Sequence, residues 1–264
     1  MATSYLDKIV AWHRQRAAED GREWRDRLGP VNQGRPSFRR ALERQARDPV
    51  AVIGELKRRS PSKGWLAPDL DVVAMARRYR DAGVAAISIL TDHEFFSGTL
   101  SDLEAVSNHV SAPLLRKDFT VSENDVLDAR DAGASAVLLI TTALSDDELE
   151  RFLALAREVG LDALVEVHDR DEASRALASG ATLIGVNQRD LRTFEVNPSH
   201  AASVVDAIRR EGIVTVCESA IATVADVQRA ADAGYDAVLV GEAFVTAVDP
   251  DVTVRSFASI RPLP

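Results

Sequence analysis

The 264-residue sequence holds a single cysteine, Cys217, which rules out an intramolecular disulfide framework and a cysteine-built zinc site. No apolar run approaches the ~20 residues needed to cross a bilayer. The opening residues, 1–8, lead into an amphipathic charged segment and not into the apolar stretch of a secretory signal. These absences predict a cytoplasmic protein with no membrane partner. An excess of basic charge is missing too. With 41 acidic against 32 basic residues the chain carries −9 at pH 7, so nothing in its overall charge favours nucleic acid. There is no Gly-x-Ser-x-Gly nucleophile elbow. The five histidines, His13, His93, His109, His168 and His200, show no metal-ligand spacing, so no metal is expected. Four of them read as surface or helix residues, whereas His168 either orients Glu166 or ends a strand. Cys217 reads as an inert core thiol, and Trp12, Trp24 and Trp65 as packing residues.

What is present is the material of a globular domain, 46% hydrophobic and 28% charged, long enough for one large core. Charge is distributed unevenly. Residues 1–48 hold Lys8 and ten arginines against seven acids, about +4, which leaves about −13 for the remainder. Acids interleave with these arginines, so the segment reads as a solvated helix pair and not as an RNA-binding arm. Residues 4–20 place Tyr5, Ile9, Val10 and Trp12 among charged neighbours, a helical pattern. Gly29-Pro30 and Gly34-Arg35-Pro36 break it, and Ser37 is placed to cap a short helix carrying Phe38, Ala41 and Leu42. The segment is an N-terminal helical extension of a single domain spanning residues 1–264.

From residue 50 onward the pattern becomes rhythmic. Aliphatic and β-branched runs at 51–56, 85–90, 112–116, 136–140, 163–167, 182–187, 213–217 and 237–241 alternate with helical stretches. Arg80-Asp81-Ala82-Gly83 and Arg130-Asp131-Ala132-Gly133 precede similar strands, and Gly180 and Gly234 stand in the same place further on. Each glycine suits a left-handed helix end feeding the next strand. A repeat of about fifty residues, taken as two βα units, gives eight units in all. The fold class is therefore α/β, a (β/α)8 TIM barrel with an N-terminal helical extension. An open doubly wound sheet would place a Gly-rich turn after its first strand, where Lys57-Arg58-Arg59-Ser60 stands instead.

In such a barrel chemistry collects where the strands end. Alternation puts Ile53, Glu55 and Lys57 on one face of the first strand and Leu115 and Lys117 on one face of the third. It groups Leu164, Glu166 and His168 on the fifth. The sixth ends in Asn187, the seventh in Glu218-Ser219 and the eighth in Gly241-Glu242. One charged strand end is a solvated ion pair. Several converging on one rim, where burial costs several kcal/mol per unpaired charge, point to a site built to stabilise charge. Loops after the seventh and eighth strands are the expected phosphate cradle, formed by Ser219, Ala220, Gly241 and Glu242 with Ser60 joining from the first.

Six stretches, Glu55-Leu56-Lys57-Arg58-Arg59-Ser60-Pro61-Ser62, Ile89-Leu90-Thr91-Asp92, Leu115-Arg116-Lys117-Asp118-Phe119, Glu166-Val167-His168, Gly185-Val186-Asn187-Gln188-Arg189-Asp190-Leu191 and Glu218-Ser219, resemble the indole-3-glycerol-phosphate synthase family of tryptophan biosynthesis. The resemblance covers essentially the whole chain. It implies a carboxy-lyase that works without a cofactor on a phosphorylated small molecule, with other enzymes of the pathway as candidate partners. It implies that Lys117 is the general acid, that Lys57 pairs with substrate anions and assists dehydration, and that Glu166 is the carboxylate of the later step. Glu55 would position lysine and substrate, while Asn187 and Glu218 would hold hydroxyls and the anilino nitrogen. Phe119 and Leu191 would wall the aromatic ring, and Arg189 would help carry the anion. By the same resemblance the N-terminal extension covers the active-site end. The division of acid and base work between Lys57 and Lys117 stays open. A lysine acid is expected to have its pKa lowered by burial and neighbouring cations.

One position departs from the family pattern: Ala220 stands where glycine is usual. If the backbone there needs positive φ, alanine costs on the order of 1 kcal/mol and its Cβ crowds the phosphate. A paralogous phosphate-binding barrel with shifted specificity, such as a phosphoribosylanthranilate isomerase, would not require the two lysines. A catalytically silent binding protein would not require the acid–base set.

Overall fold

The computed structural model describes residues 4–29, 35–43, 48–190 and 195–263, with side chains for all of these but 198–201. Eight parallel strands close into a barrel: β1 (Ala51–Leu56), β2 (Ala86–Leu90), β3 (Leu114–Lys117), β4 (Ala136–Ile140), β5 (Asp162–Val167), β6 (Leu183–Asn187), β7 (Val214–Glu218) and β8 (Ala237–Val240). Each pairs with its neighbours in chain order, and β1 closes the ring against β8 through Ala51↔Ala237 to Gly54↔Val240. The strands fall within two residues of their predicted bounds. β3 begins at Leu114 and reaches Lys117, which carries that lysine onto the strand.

Among the described residues two α-helices precede the barrel, α1 (Tyr5–Glu19) and α2 (Phe38–Leu42), with a 3-10 turn at Trp24–Arg27 between them. The outer ring comprises α3 (Val72–Ala82), α4 (Leu100–His109), α5 (Glu123–Asp131), α6 (Asp146–Glu158), α7 (Arg170–Ala178), α8 (Pro198–Ile208), α9 (Val224–Asp232) and α10 (Pro250–Ala258). Helix starts are written locally. Ser4, Thr99, Ser122, Ser145 and Thr223 each accept from the third helical N–H, and an acid at that third position bonds back. Such a box satisfies two otherwise orphaned donors. Gly83, Gly133, Gly180 and Gly234, the predicted helix ends, all lie at φ between 83° and 102°.

Strand alternation sorts the apolar residues into two layers. Ile53, Leu115, Leu138, Leu164, Val216 and Leu239 fill the barrel interior. Val52, Ile87, Val137 and Val165 face outward, packed with Tyr79, Phe152 and Phe257 of the surrounding helices.

The extension reaches both ends of the barrel. Ser37 Oγ and the Arg39 amide donate to Asp162 Oδ2 at 2.8 and 2.9 Å, and the Arg39 guanidinium reaches the carbonyls of Thr182 and Gly212. Those partners stand at or before the beginnings of β5, β6 and β7. α2 therefore plugs the N-terminal mouth of the barrel with Phe38 and Leu42, both fully buried. α1 lies at the opposite end, its stripe of Leu6, Ile9 and His13 turned inward. Of the apolar positions that marked the helix in the sequence, only Ile9 belongs to this buried stripe. Trp12 is 38% exposed, its ring edge-on to Phe95 and so only partly the packing residue expected.

Four arginines of the extension are engaged by the barrel and not left to solvent as predicted. Arg14 pairs with Glu148, Arg16 with Asp125 at 2.6 Å, Arg22 with Asp128 at 2.8 Å, and Arg27 with Asp128 and Asp131 at 2.7 and 2.8 Å. The +4 segment is docked electrostatically on the acidic faces of α5 and α6.

Candidate active site

A cavity of about 730 Å³ opens at the C-terminal ends of the strands. Every predicted site residue but one lines it: Glu55, Lys57, Lys117, Glu166, Asn187 and Glu218 at the strand ends, and Ser60, Phe119, Arg189, Ser219, Ala220, Gly241 and Glu242 in the loops. Leu191 lies outside the described residues.

Lys117 is the centre of the charged floor. Its Nζ donates to Glu166 Oε2 at 2.8 Å and to Glu218 Oε2 at 2.6 Å. Asn187 Nδ2 donates to Glu166 Oε1 at 3.1 Å, and Asn187 Oδ1 accepts from Ser219 Oγ at 2.7 Å and from the Arg189 amide at 3.0 Å. The amide is held at both ends. Nearer the β1–β8 seam, Lys57 Nζ donates to Glu55 Oε1 at 2.5 Å. The charges are buried but paired, the condition under which the fold tolerates them.

Room for the carboxylates comes from two missing side chains. A Cβ at Gly185 would stand 1.9 Å from Glu218 Oε1, and one at Gly241 would stand 2.5 Å from Glu55 Oε1. The strand neighbour of Lys117 has the opposite task. Arg116 turns outward and, fully enclosed, donates to Thr91 Oγ1, the Asp125 carbonyl and Asp118 Oδ2 at 3.1, 2.6 and 2.8 Å. It ties the end of β3 to β2 and α5, and so fixes the base from which Lys117 projects.

The electrostatics reverse one sequence expectation. Burial does work against the Lys117 charge, but Glu166, Glu218 and Glu55 outweigh it, and the pKa is raised well above the ordinary lysine value. For Glu166 burial disfavours the carboxylate, yet Lys117, His168 and the Asn187 bond bring its pKa down to about 2. Glu218 has the same help from Lys117 but feels the negative charges of Glu166 and Glu55. Burial dominates there and pushes it up to about 7. Glu218 is the floor group whose charge changes across neutral pH.

The rim differs in detail from the sequence reading. Ser60 lies in a short hairpin, Arg59–Ser60 against Gly64–Trp65, whose tip carries Pro61 and Ser62 into the cavity. Trp65 is 58% exposed beside Arg59, not a packing residue. Ser219 and Ala220 sit at φ 66° and 55°, so Ala220 does occupy the backbone state that glycine would favour. Glu242 faces solvent at the mouth and pairs with Lys63 at 2.6 Å. Cys217 is buried, and that burial pushes its thiol up to about 12, the inert state expected.

His13 is the residue that sequence reasoning undervalued. It is 2% exposed, pairs with Asp92 at 2.7 Å and stacks on Phe119 with ring centroids 5.3 Å apart. Asp118 lies 3.9 Å away, so three ligand-type side chains do meet, engaged with one another and with Arg116. The Leu6-Ile9-His13 spacing was the available signal, since i, i+3, i+7 marks one helix face. Its partners stand 79 and more residues away, which no local pattern reveals.

The family model described as Indole-3-glycerol phosphate synthase matches residues 6–257. A protein of Chloroherpeton thalassium named indole-3-glycerol phosphate synthase is 42% identical over 92% of this chain and 95% of its own length. One of a Nocardioides species with the same name is 44% identical over 98% and 99%. Among solved structures, a thiamine phosphate pyrophosphorylase from Pyrococcus furiosus superposes with a TM-score of 0.60 over 84% of this chain and 96% of its own. A 3-hexulose-6-phosphate synthase does so at 0.60 over 79% and 98%. Both are 16% identical and share the barrel alone. With matches this extensive to family and relatives, the chain belongs to the indole-3-glycerol phosphate synthase family.

Proposed function

We propose that the protein closes 1-(2-carboxyphenylamino)-1-deoxyribulose 5-phosphate into indole-3-glycerol phosphate, releasing CO2 and water. The observation that carries this reading is the Lys117 ammonium held between two buried carboxylates on the floor of a cavity that Phe119, Leu138 and Ile140 wall with apolar surface. Such a pocket takes an aromatic ring and places a fixed positive charge where a ketone oxygen becomes an alkoxide.

In the first step the ring carbon bearing the carboxylate attacks the ketone carbon, and Lys117 delivers a proton to the oxygen. An alkoxide is basic enough to take it from an ammonium stabilised in this way. The carboxylate then leaves as CO2, and its bonding pair restores the aromatic ring. In the second step Lys57 gives a proton to the new hydroxyl, which leaves as water, driven by the ring nitrogen, while Glu166 removes the proton from the adjacent carbon. Glu55 and Lys57, joined at the seam, line the path to the phosphate end. There Ser60, Ser219, Ala220 and Gly241 form the cradle, with Arg189 beside it. In this reading α1 alone is the cover, because Leu6 and Ile9 reach the cavity while α2 sits at the other end.

Indole fluorescence on adding the carboxyphenylamino substrate to purified protein tests the proposal. The expected signal is lost in Lys117→Ala. No signal from the unmodified protein, or an undiminished one from the variant, overturns it.

A further inference from the structure

Two carboxylates flank one ammonium, and on that contact alone Glu166 and Glu218 are equivalent. Their second oxygens are not. Glu218 Oε1 is buried over Gly185 with no hydrogen-bond partner. Glu166 Oε1 accepts from Asn187 and faces His168 Nε2 at 3.6 Å.

His168 is itself clamped. Its Nδ1 lies 3.1 Å from Glu172 Oε2, an oxygen that also accepts the His168 backbone N–H at 2.8 Å. Thr142, in the turn after β4, donates to Glu172 from the other side. With Nδ1 committed in this way, Nε2 is left buried, unpaired and aimed at Glu166. An acid that fixes an imidazole through one nitrogen and so directs the other at a reacting group is a recurrent orienting device. The largest charges acting on the ring are those of Glu166 from β5, Glu172 from α7 and Glu218 from β7, all acidic, with the Lys117 ammonium beyond them on the other oxygen of Glu166. In that company the imidazole is held protonated to higher pH than an ordinary histidine, despite its burial.

We propose that His168, clamped by Glu172, is the positioning residue that breaks the symmetry of the two carboxylates around Lys117 and assigns the ionised, proton-accepting role to Glu166. The pair holds one proton between its two titration steps, and the site works only if that proton rests on Glu218. The assignment rests on the synthase reading above, because it concerns which carboxylate serves as base. Asn187 contributes a neutral dipole to the same oxygen. His168 contributes a full charge, the larger of the two biases at comparable distance.

The experiment compares the unmodified protein with His168→Asn and Glu172→Gln, using glutamate labelled with 13C at the side-chain carboxyl and resonances assigned by Glu166→Gln and Glu218→Gln. In the unmodified protein only Glu218 titrates near neutral pH. In His168→Asn the neutral-range step spreads onto Glu166, and Glu172→Gln produces the same change in smaller measure. Turnover of the carboxyphenylamino substrate at pH 7 falls about tenfold in kcat with KM little changed, and the deficit shrinks as pH rises and Glu166 regains its charge. A Glu166 signal that stays flat between pH 5 and 8 in both variants overturns the assignment, as does a kcat deficit independent of pH. Absence of turnover in the unmodified protein would instead refute the synthase reading and leave the carboxyl titration to judge His168. Glu172 is the second handle should His168→Asn fold poorly.

Discussion

Lys117 and Glu218 meet at 2.6 Å in a part of the barrel where both are almost wholly enclosed, yet the carboxyl of Glu218 is pushed up to about 7. One ammonium has to neutralise two carboxylates, and the second is left to ionise largely against burial. The floor thus goes from neutral to net negative as Glu218 loses its proton.

That gives stability a definite pH dependence. The folded pKa of Glu218 lies above the ordinary 4.5, so its contribution is full below that value and is lost as pH rises through about 7. Glu166 works in the opposite sense: its contribution is present above 4.5 and is lost as pH falls toward about 2. Glu218→Gln fixes the neutral form. The variant is expected to melt roughly 7–13 °C above the unmodified protein at pH 8 and only about 2–3 °C above it at pH 5. Calorimetry at the two pH values checks this, and an equal difference at both would count against the titration of Glu218.

Ala220 was marked in the sequence as a departure from glycine on condition that its backbone needed positive φ, and φ is 55°. Ala220→Gly should add about 1 kcal/mol of stability in urea titrations and tighten binding of a phosphate-bearing product analogue. Unchanged stability would mean that the loop carries no strain. Unchanged affinity would remove the Cβ from any part in the cradle.

The halves of the N-terminal extension should respond differently to removal. Truncation before residue 21 takes away α1, with its apolar side toward the cavity, and is expected to raise KM about tenfold while the barrel stays folded. Truncation through residue 42 also removes Phe38 and Leu42 from the barrel mouth and costs about 3–6 kcal/mol. Denaturation midpoints and KM for the two truncated proteins separate these effects. High salt should mimic the first truncation in part, because Arg14 and Arg16 hold α1 through ion pairs whose arginines are about one-third exposed.

Much of this was written locally in the chain. Period-two alternation placed Glu55, Lys57, Lys117 and Glu166 on the inner face, and helix-end glycines set the count of units; both signals span only a few residues. What was not legible depends on pairs distant in sequence. The pKa of Lys117 cannot be read from Leu115-Arg116-Lys117, since the partners that raise it come 49 and 101 residues later. The docking of Arg14 on Glu148 crosses 134 residues. His13 looked like one more polar residue on a charged helix until Asp92 and Phe119 closed around it.

The place kept clear at Gly185 has a consequence for how this scaffold can change. Glycine and alanine codons differ by one base, and one added methyl at Gly185 would stand 1.9 Å from the Glu218 carboxylate. The register of β6 against β7 does not depend on that carbon. A single nucleotide step therefore obliges the second carboxylate to move while the topology of the barrel is kept, so the fold and the arrangement of its charged floor can change independently.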